Sequence, residues 1–189
     1  MDKIVIMASG NGSNAQRIAE YFQTNEEIEI AAIFSNNSKA YVLKRARQLG
    51  ISAELFSKAD LNGPRILEML EKYETDYIVL AGFLWKVPEH LIRAYPDKIL
   101  NIHPSLLPKF GGKGMYGNHV HKAVLAQNEN ESGITIHLVN EQYDQGAILF
   151  QARCDVLPND TPGQLAERIH QLEYKHYPEV IHSYIKTHS

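Results

Sequence analysis

The sequence predicts an α/β fold: a mostly parallel, Rossmann-like sheet with helices on both faces and an antiparallel strand pair towards the C-terminus. Three observations predict it. Short aliphatic runs alternate with amphipathic segments through the first hundred residues, the pattern of repeated strand–helix–strand crossovers. Glycine and proline punctuate the junctions. After residue 104 the rhythm changes to a glycine-rich loop, one short amphipathic segment and two apolar runs joined by a polar turn.

The elements follow in order. "KIVIMA" (3–8) is a buried strand, and "NAQRIAEYFQ" (14–23) is a helix with Ala15, Ile18, Ala19 and Phe22 on one face. "IEIAAIFS" (28–35) is the second strand, followed by a helix over 39–50 that ends at Gly50. A short strand at 52–56 precedes a helix over 63–73, with proline near its start where a missing N–H costs nothing. Strands at 76–83 and 98–103 flank a short helix near 88–95. A helix over 119–127 then leads to strands 133–140 and 147–156. Thr161-Pro162-Gly163-Gln164 opens the last helix as a capping box, and Pro178 is expected to kink or divide it.

Composition narrows the function classes. The chain has 189 residues, 44% hydrophobic and 22% charged, and reads as one domain over 1–189 without repeat or linker. A formal charge of −3 gives no global argument for nucleic-acid binding. The single Cys154 excludes an internal disulfide and fits a reducing cytoplasm. No apolar run approaches the ~20 residues of a membrane span, and no signal segment is visible.

The loop "ASGNGSN" (8–14) lies between the first strand and the first helix. Its glycines permit close ligand approach, and the helix N-terminus behind it offers free N–H groups to a phosphate. Ala15 stands where a dinucleotide fingerprint needs its third glycine, and Ser35-Asn36-Asn37 replaces the acid that would hold a ribose. A phosphomonoester fits better than a dinucleotide. A plain tight turn is the competing reading.

"NIHPSLLPKFGG" (101–112) carries the chemistry. Asn101 and His103 are two apart on a strand and share a face at its carboxyl end, where open parallel sheets bind ligands. An amide N–H and an imidazole there can donate to one oxygen, as a tetrahedral oxyanion requires. Pro104 helps end the strand and Pro108 bends the chain away. A carboxylate would orient the imidazole and favour its protonated form. Asp144, in the turn before the final strand, is placed for that role or is an ordinary turn residue. His119 and His121 start a helix, where positions i and i+2 diverge, so no metal site is expected. His137 faces either the core or the site.

These stretches, with "FSN" (34–36), "RARQLGI" (45–51), "VLAGF" (79–83), "GITIHLV" (133–139), "YDQGAILFQ" (143–151) and the late "YP", resemble the glycinamide ribonucleotide formyltransferase family over almost the whole chain. The resemblance implies a formyltransferase-type fold and formyl transfer from 10-formyltetrahydrofolate to the amine of glycinamide ribonucleotide, in purine biosynthesis. It implies a phosphate-binding half over 1–100 and a catalytic and folate half over 101–189. Asn101, His103 and Asp144 would be catalytic. Gly10, Asn11, Gly12, Ser13 and Asn14 would hold the substrate phosphate, and Glu173 its ribose. The folate would lie against Phe83, Leu84, Trp85, Lys86 and Val87, with Asn101, Leu138, Val139, Asn140 and Asp144. Thr135 and His137 would support the catalytic groups. No metal, nucleic acid or membrane is implied, and the protein would be a cytoplasmic monomer or homodimer.

The alternatives are a formyltetrahydrofolate deformylase-like hydrolase, a methionyl-tRNA formyltransferase and a non-catalytic phosphometabolite-binding module. Against the first two stands the lack of an N-terminal regulatory domain and of a C-terminal tRNA-binding extension. Against the third stands the intact trio.

Overall fold

In the computed structural model, which describes residues 1–189, β1 (Asp2–Met7) lies near the middle of a seven-stranded sheet. Alternate residues of this strand feed opposite faces: Ile4 and Ile6 enter one core, Val5 and Met7 the other. Both faces are therefore apolar, as a parallel sheet covered on two sides requires.

On one side pack α1 (Ser13–Phe22), α2 (Val42–Gln48), α6 (Asn118–Ala126) and α7 (Pro162–His188), through residues such as Phe22, Ala46, Val124 and Ile181. On the other lie α3 (Lys58–Asn62), α4 (Arg65–Lys72) and α5 (Glu89–Ala94), through Leu61, Ile66, Leu70 and Leu91. The remaining strands are β2 (Ile28–Ser35), β3 (Ser52–Leu55), β4 (Tyr77–Leu80), β5 (Ile99–His103), β6 (Glu131–Leu138) and β7 (Ile148–Asp155). Their order is β3-β2-β1-β4-β5-β6-β7. The first five run parallel, and β6 and β7 are antiparallel to their neighbours.

The structure adds one element and changes two expectations. The helix expected at 63–73 forms as α4, and an unexpected short helix, α3, precedes it, capped by Ser57 in a reciprocal box with Asp60 and separated from α4 by Gly63-Pro64. The strand expected to reach residue 83 ends at Leu80, and Gly82 at φ 73° turns the chain towards the sheet's carboxyl edge. Pro178 does not divide α7, which stays one element of 27 residues. Its flanks explain why. The Tyr177 hydroxyl donates to the carbonyls of Leu80 and Leu100, and that of Tyr184 to Asp97. With Ile181 and Ile185 also buried, tertiary packing outweighs the one missing backbone donor. No helix is long and apolar enough to cross a membrane.

The β6–β7 turn is tightly built. A Cβ on Gly146 would fall onto the Leu138 carbonyl, a backbone atom that cannot move aside. Gly146→Ala is expected to destabilise the fold by ~1–3 kcal/mol, lowering Tm by several degrees. Thermal unfolding checks this, and an unchanged Tm would refute the packing argument.

Candidate active site

The carboxyl edges of β1, β4 and β5 open into a cleft of about 460 Å³. At one end is the β1–α1 loop. Gly12 adopts φ 76° before the first helical turn, and any side chain there would collide with Val42 of α2. Arg45 holds the loop from outside: its Nε donates to the Asn11 carbonyl at 2.9 Å and an Nη to Asn11 Oδ1 at 2.6 Å. The same guanidinium also reaches Gln16. Gly10, Asn11, Gly12, Ser13 and Asn14 all line the cleft. The Asn11 side chain itself is engaged by Arg45, so the loop's offer to an anion comes chiefly from its backbone.

Asn14 donates through Nδ2 to Glu173 Oε2 of α7 at 2.9 Å, which joins the first loop to the last helix. Glu173 is buried, at 6% exposure. Burial raises its carboxyl above the usual range, against the opposing Asn14 donor and His170.

Asn101 and His103 meet on β5 as their spacing requires, and both line the cleft. The antiparallel register sets Asn101 opposite His137 and His103 opposite Thr135. His137 Nδ1 lies 2.8 Å from the Leu138 carbonyl, so that nitrogen carries the proton. Its Nε2 then accepts from Asn101 Nδ2 at 3.1 Å. One amide N–H of Asn101 is thus fixed and the other is free for a ligand.

His103 Nε2 lies 2.8 Å from the Phe110 carbonyl and donates to it. Its Nδ1 faces Asp144 Oδ2 at 3.6 Å. Asp144 reaches this position at φ 55°, a left-handed conformation that Asp tolerates better than most residues. Its Oδ2 accepts from Gly112 N–H at 2.8 Å, and Oδ1 lies 3.7 Å from His137 Nε2.

The electrostatics at His103 pull both ways, and Asp144 acts in the expected direction. Burial lowers the His103 pKa and outweighs the raising effects of Asp144 and the Phe110 carbonyl; the neighbouring His137 adds to the lowering. The resting ring is therefore biased towards neutral, with a lone pair on Nδ1, and is not a standing cation. Asp144 keeps its charge: burial raises its pKa, but His137, His103 and the Gly112 N–H together lower it further.

The other expected residues divide clearly. Phe83, Leu84, Trp85, Lys86 and Val87 form the opposite wall with Val139 and Asn140. Ser9 Oγ accepts from Leu84 N–H, tying this wall to the first loop. Phe56, Phe83 and Trp85 pack together edge to face or tilted, and Lys86 sits 5.7 Å from the centre of the Tyr143 ring. Leu138 is not on the wall but packs against the core. Thr135 lies behind it: its hydroxyl donates to the Ser105 carbonyl and accepts from Leu107 N–H and Gln151. It holds the loop after β5.

Several lining residues were not read from the sequence, chiefly His121 and His170, with Met115 and Tyr116 from the loop before α6. His170 precedes Glu173 by three positions and so shares its helix face, a signal the sequence contains. His121 lies among buried Val120 and Val124 on α6, while His119 is exposed. No three His, Cys, Asp or Glu side chains gather as a metal site would need.

His121 is 2% exposed. Burial first, then the charges of His170 and His103, lower its pKa to about 4. The sign follows: the native ring stays neutral while the unfolded ring takes a proton below about 6.5, so this group's contribution to stability falls as pH drops towards 4. His121→Leu is expected to lose less Tm than the parent between pH 7 and pH 4.5. Parallel Tm–pH curves would contradict this.

The site defines a class: an open α/β sheet with a glycine-bearing first loop at a helix N-terminus, and an amide, imidazole and carboxylate at the switch from parallel to antiparallel strands. The chain belongs to the formyl transferase family, whose model matches residues 2–181. Its relatives include a chloroplastic phosphoribosylglycinamide formyltransferase of Arabidopsis thaliana, 42% identical over 186 residues, covering 95% of this chain and 64% of that protein. The phosphoribosylglycinamide formyltransferase of Escherichia coli strain K12 is 35% identical over 184 residues, covering 94% and 84%. The chain spans 64% and 59% of the lengths of two plant relatives. Its fold matches the crystal structure of phosphoribosylglycinamide formyltransferase from Streptococcus pneumoniae TIGR4, with TM-score 0.86 and 37% identity over 97% of this chain and 98% of that one.

Proposed function

We propose that this chain transfers the formyl group of 10-formyltetrahydrofolate to the amine of glycinamide ribonucleotide, a step of purine synthesis. The observation that carries the reading is the placement of Asp144 Oδ2 3.6 Å from His103 Nδ1, beside Asn101, in the cleft that also holds residues 10–14. The similarity to proteins named phosphoribosylglycinamide formyltransferase supports the choice of amine.

In this reading residues 1–189 act as one domain. The loop at 10–14 takes the phosphate and Glu173 the ribose, while the wall at 83–87 with 139–144 takes the folate. The substrate amine attacks the formyl carbon, forming a C–N bond as the carbonyl electrons move to oxygen. His103 Nδ1 accepts the proton that the amine loses, directly or through a water, and Asp144 stabilises the imidazolium so formed. The free N–H of Asn101 and the new Nδ1–H then donate towards the oxyanion. Collapse breaks the bond to the folate nitrogen, which leaves with a proton returned by His103. Thr135 and His137 act through others, one by fixing the loop and one by fixing the Asn101 amide. The single free Cys154 supports a reducing, cytoplasmic setting.

The test incubates the protein with 10-formyltetrahydrofolate, with and without glycinamide ribonucleotide, and follows loss of the formyl group. Turnover that needs the amine is expected. Equal turnover without it would make the protein a hydrolase, and none in either case would leave a binding module.

A further inference from the structure

Within the cleft, one buried polar side chain makes no hydrogen bond to the protein. His121 Nδ1 is buried and has no partner, and no protein group bonds its Nε2. A buried ring nitrogen left so is costly unless something else pairs with it. The amide oxygen of Asn14 is in the same condition: buried, lining the cleft, without a partner.

These two groups line the same cleft, together with His170 and Glu173. His170 is within charge reach of both His121 and Glu173, and Glu173 takes the Asn14 amide N–H at 2.9 Å. His103 lines this cleft as well. The unpaired inventory there is an imidazole nitrogen and an amide oxygen, with a carboxyl beside them. All three can accept from a hydroxyl, and none brings a positive charge to a neutral ring. That inventory suits neighbouring hydroxyl groups and gives little to a phosphate.

We propose that His121 is a sugar-recognition residue: with Asn14 and Glu173 it forms a subsite for the vicinal hydroxyls of a pentose phosphate in this cleft. The proposal rests on the phosphoribosyl reading of the cleft and adds a residue which that reading did not contain. It is a binding and positioning role. The ring moves no proton, and its loss acts on affinity before it acts on turnover.

The test separates this proposal from formyl transfer by using ligands that cannot react. Ribose 5-phosphate and 2-deoxyribose 5-phosphate are titrated calorimetrically into the parent protein, His121→Leu and His121→Asn. Tm of each variant is recorded to show that it folds. Loss of one buried hydrogen bond corresponds to about a tenfold change in affinity. His121→Leu is expected to bind ribose 5-phosphate ~10-fold more weakly and to lose the parent's preference for it over the deoxy sugar. His121→Asn keeps a polar atom near the Nδ1 position and is expected to recover part of that preference. Equal weakening towards both sugars, or no preference in the parent, would overturn the proposal. Failure of formyl transfer with the sugar preference intact would overturn the enzymatic reading and leave this subsite standing. With glycinamide ribonucleotide as substrate, KM is expected to rise in His121→Leu much more than kcat falls.

Discussion

Asp144→Asn is expected to lower kcat by at least ~10²-fold while leaving KM for both substrates within a few-fold. The substitution keeps the size of the side chain and removes its charge. In the parent, Oδ2 accepts the Gly112 N–H and faces His103 Nδ1. If the amide oxygen keeps the Gly112 bond, it stays opposite His103 Nδ1 without its charge, and the amide nitrogen takes the Oδ1 place facing His137 Nε2. The change thus removes the countercharge for the imidazolium. Steady-state kinetics with both substrates saturating, alongside Tm, checks the outcome. A kcat within threefold of the parent would remove Asp144 from the mechanism.

His103→Ala is expected to cost as much or more, ~10²–10⁴-fold in kcat, because the proton acceptor itself disappears. Asn101 would remain held by His137, so some oxyanion stabilisation and all of the substrate binding survive. That residue of activity gives a diagnostic. The truncation leaves a space beside Asp144 and the Phe110 carbonyl, the two groups that oriented the ring. Added imidazole is expected to restore part of the rate, in proportion to its neutral form. No loss of turnover in the variant would eliminate His103 as the base. Loss without rescue, accompanied by a large fall in Tm, would assign it a structural role.

The strand–helix alternation and the two-residue spacing of Asn101 and His103 were legible because periodicity fixes which face a side chain takes. β2 was placed at its observed bounds, and the Asn101 and His103 face followed from the pleat alone. The pairing of Asp144 with His103 came only with the family resemblance, since 41 residues separate them and only the β5–β6–β7 register brings them together. α3 was missed although Ser57 and Asp60 spell its cap, because five residues carry too little apolar period to register. The undivided course of α7 through Pro178 could not be read locally. It depends on two tyrosine hydroxyls reaching carbonyls on distant strands. The neutral bias of His103 has the same origin: it arises from burial, which the sequence does not display.

The bond between Asn14 and Glu173 joins positions 159 apart. A small molecule gripped on both sides of that joint would act as a clasp between the first turn of the chain and its final long helix. Such a molecule binds only the assembled arrangement, so by mass action each tenfold excess over its dissociation constant adds ~1.4 kcal/mol against unravelling. Supply of such a molecule would thereby set the protein's resistance to unfolding, read as a ligand-dependent rise in Tm.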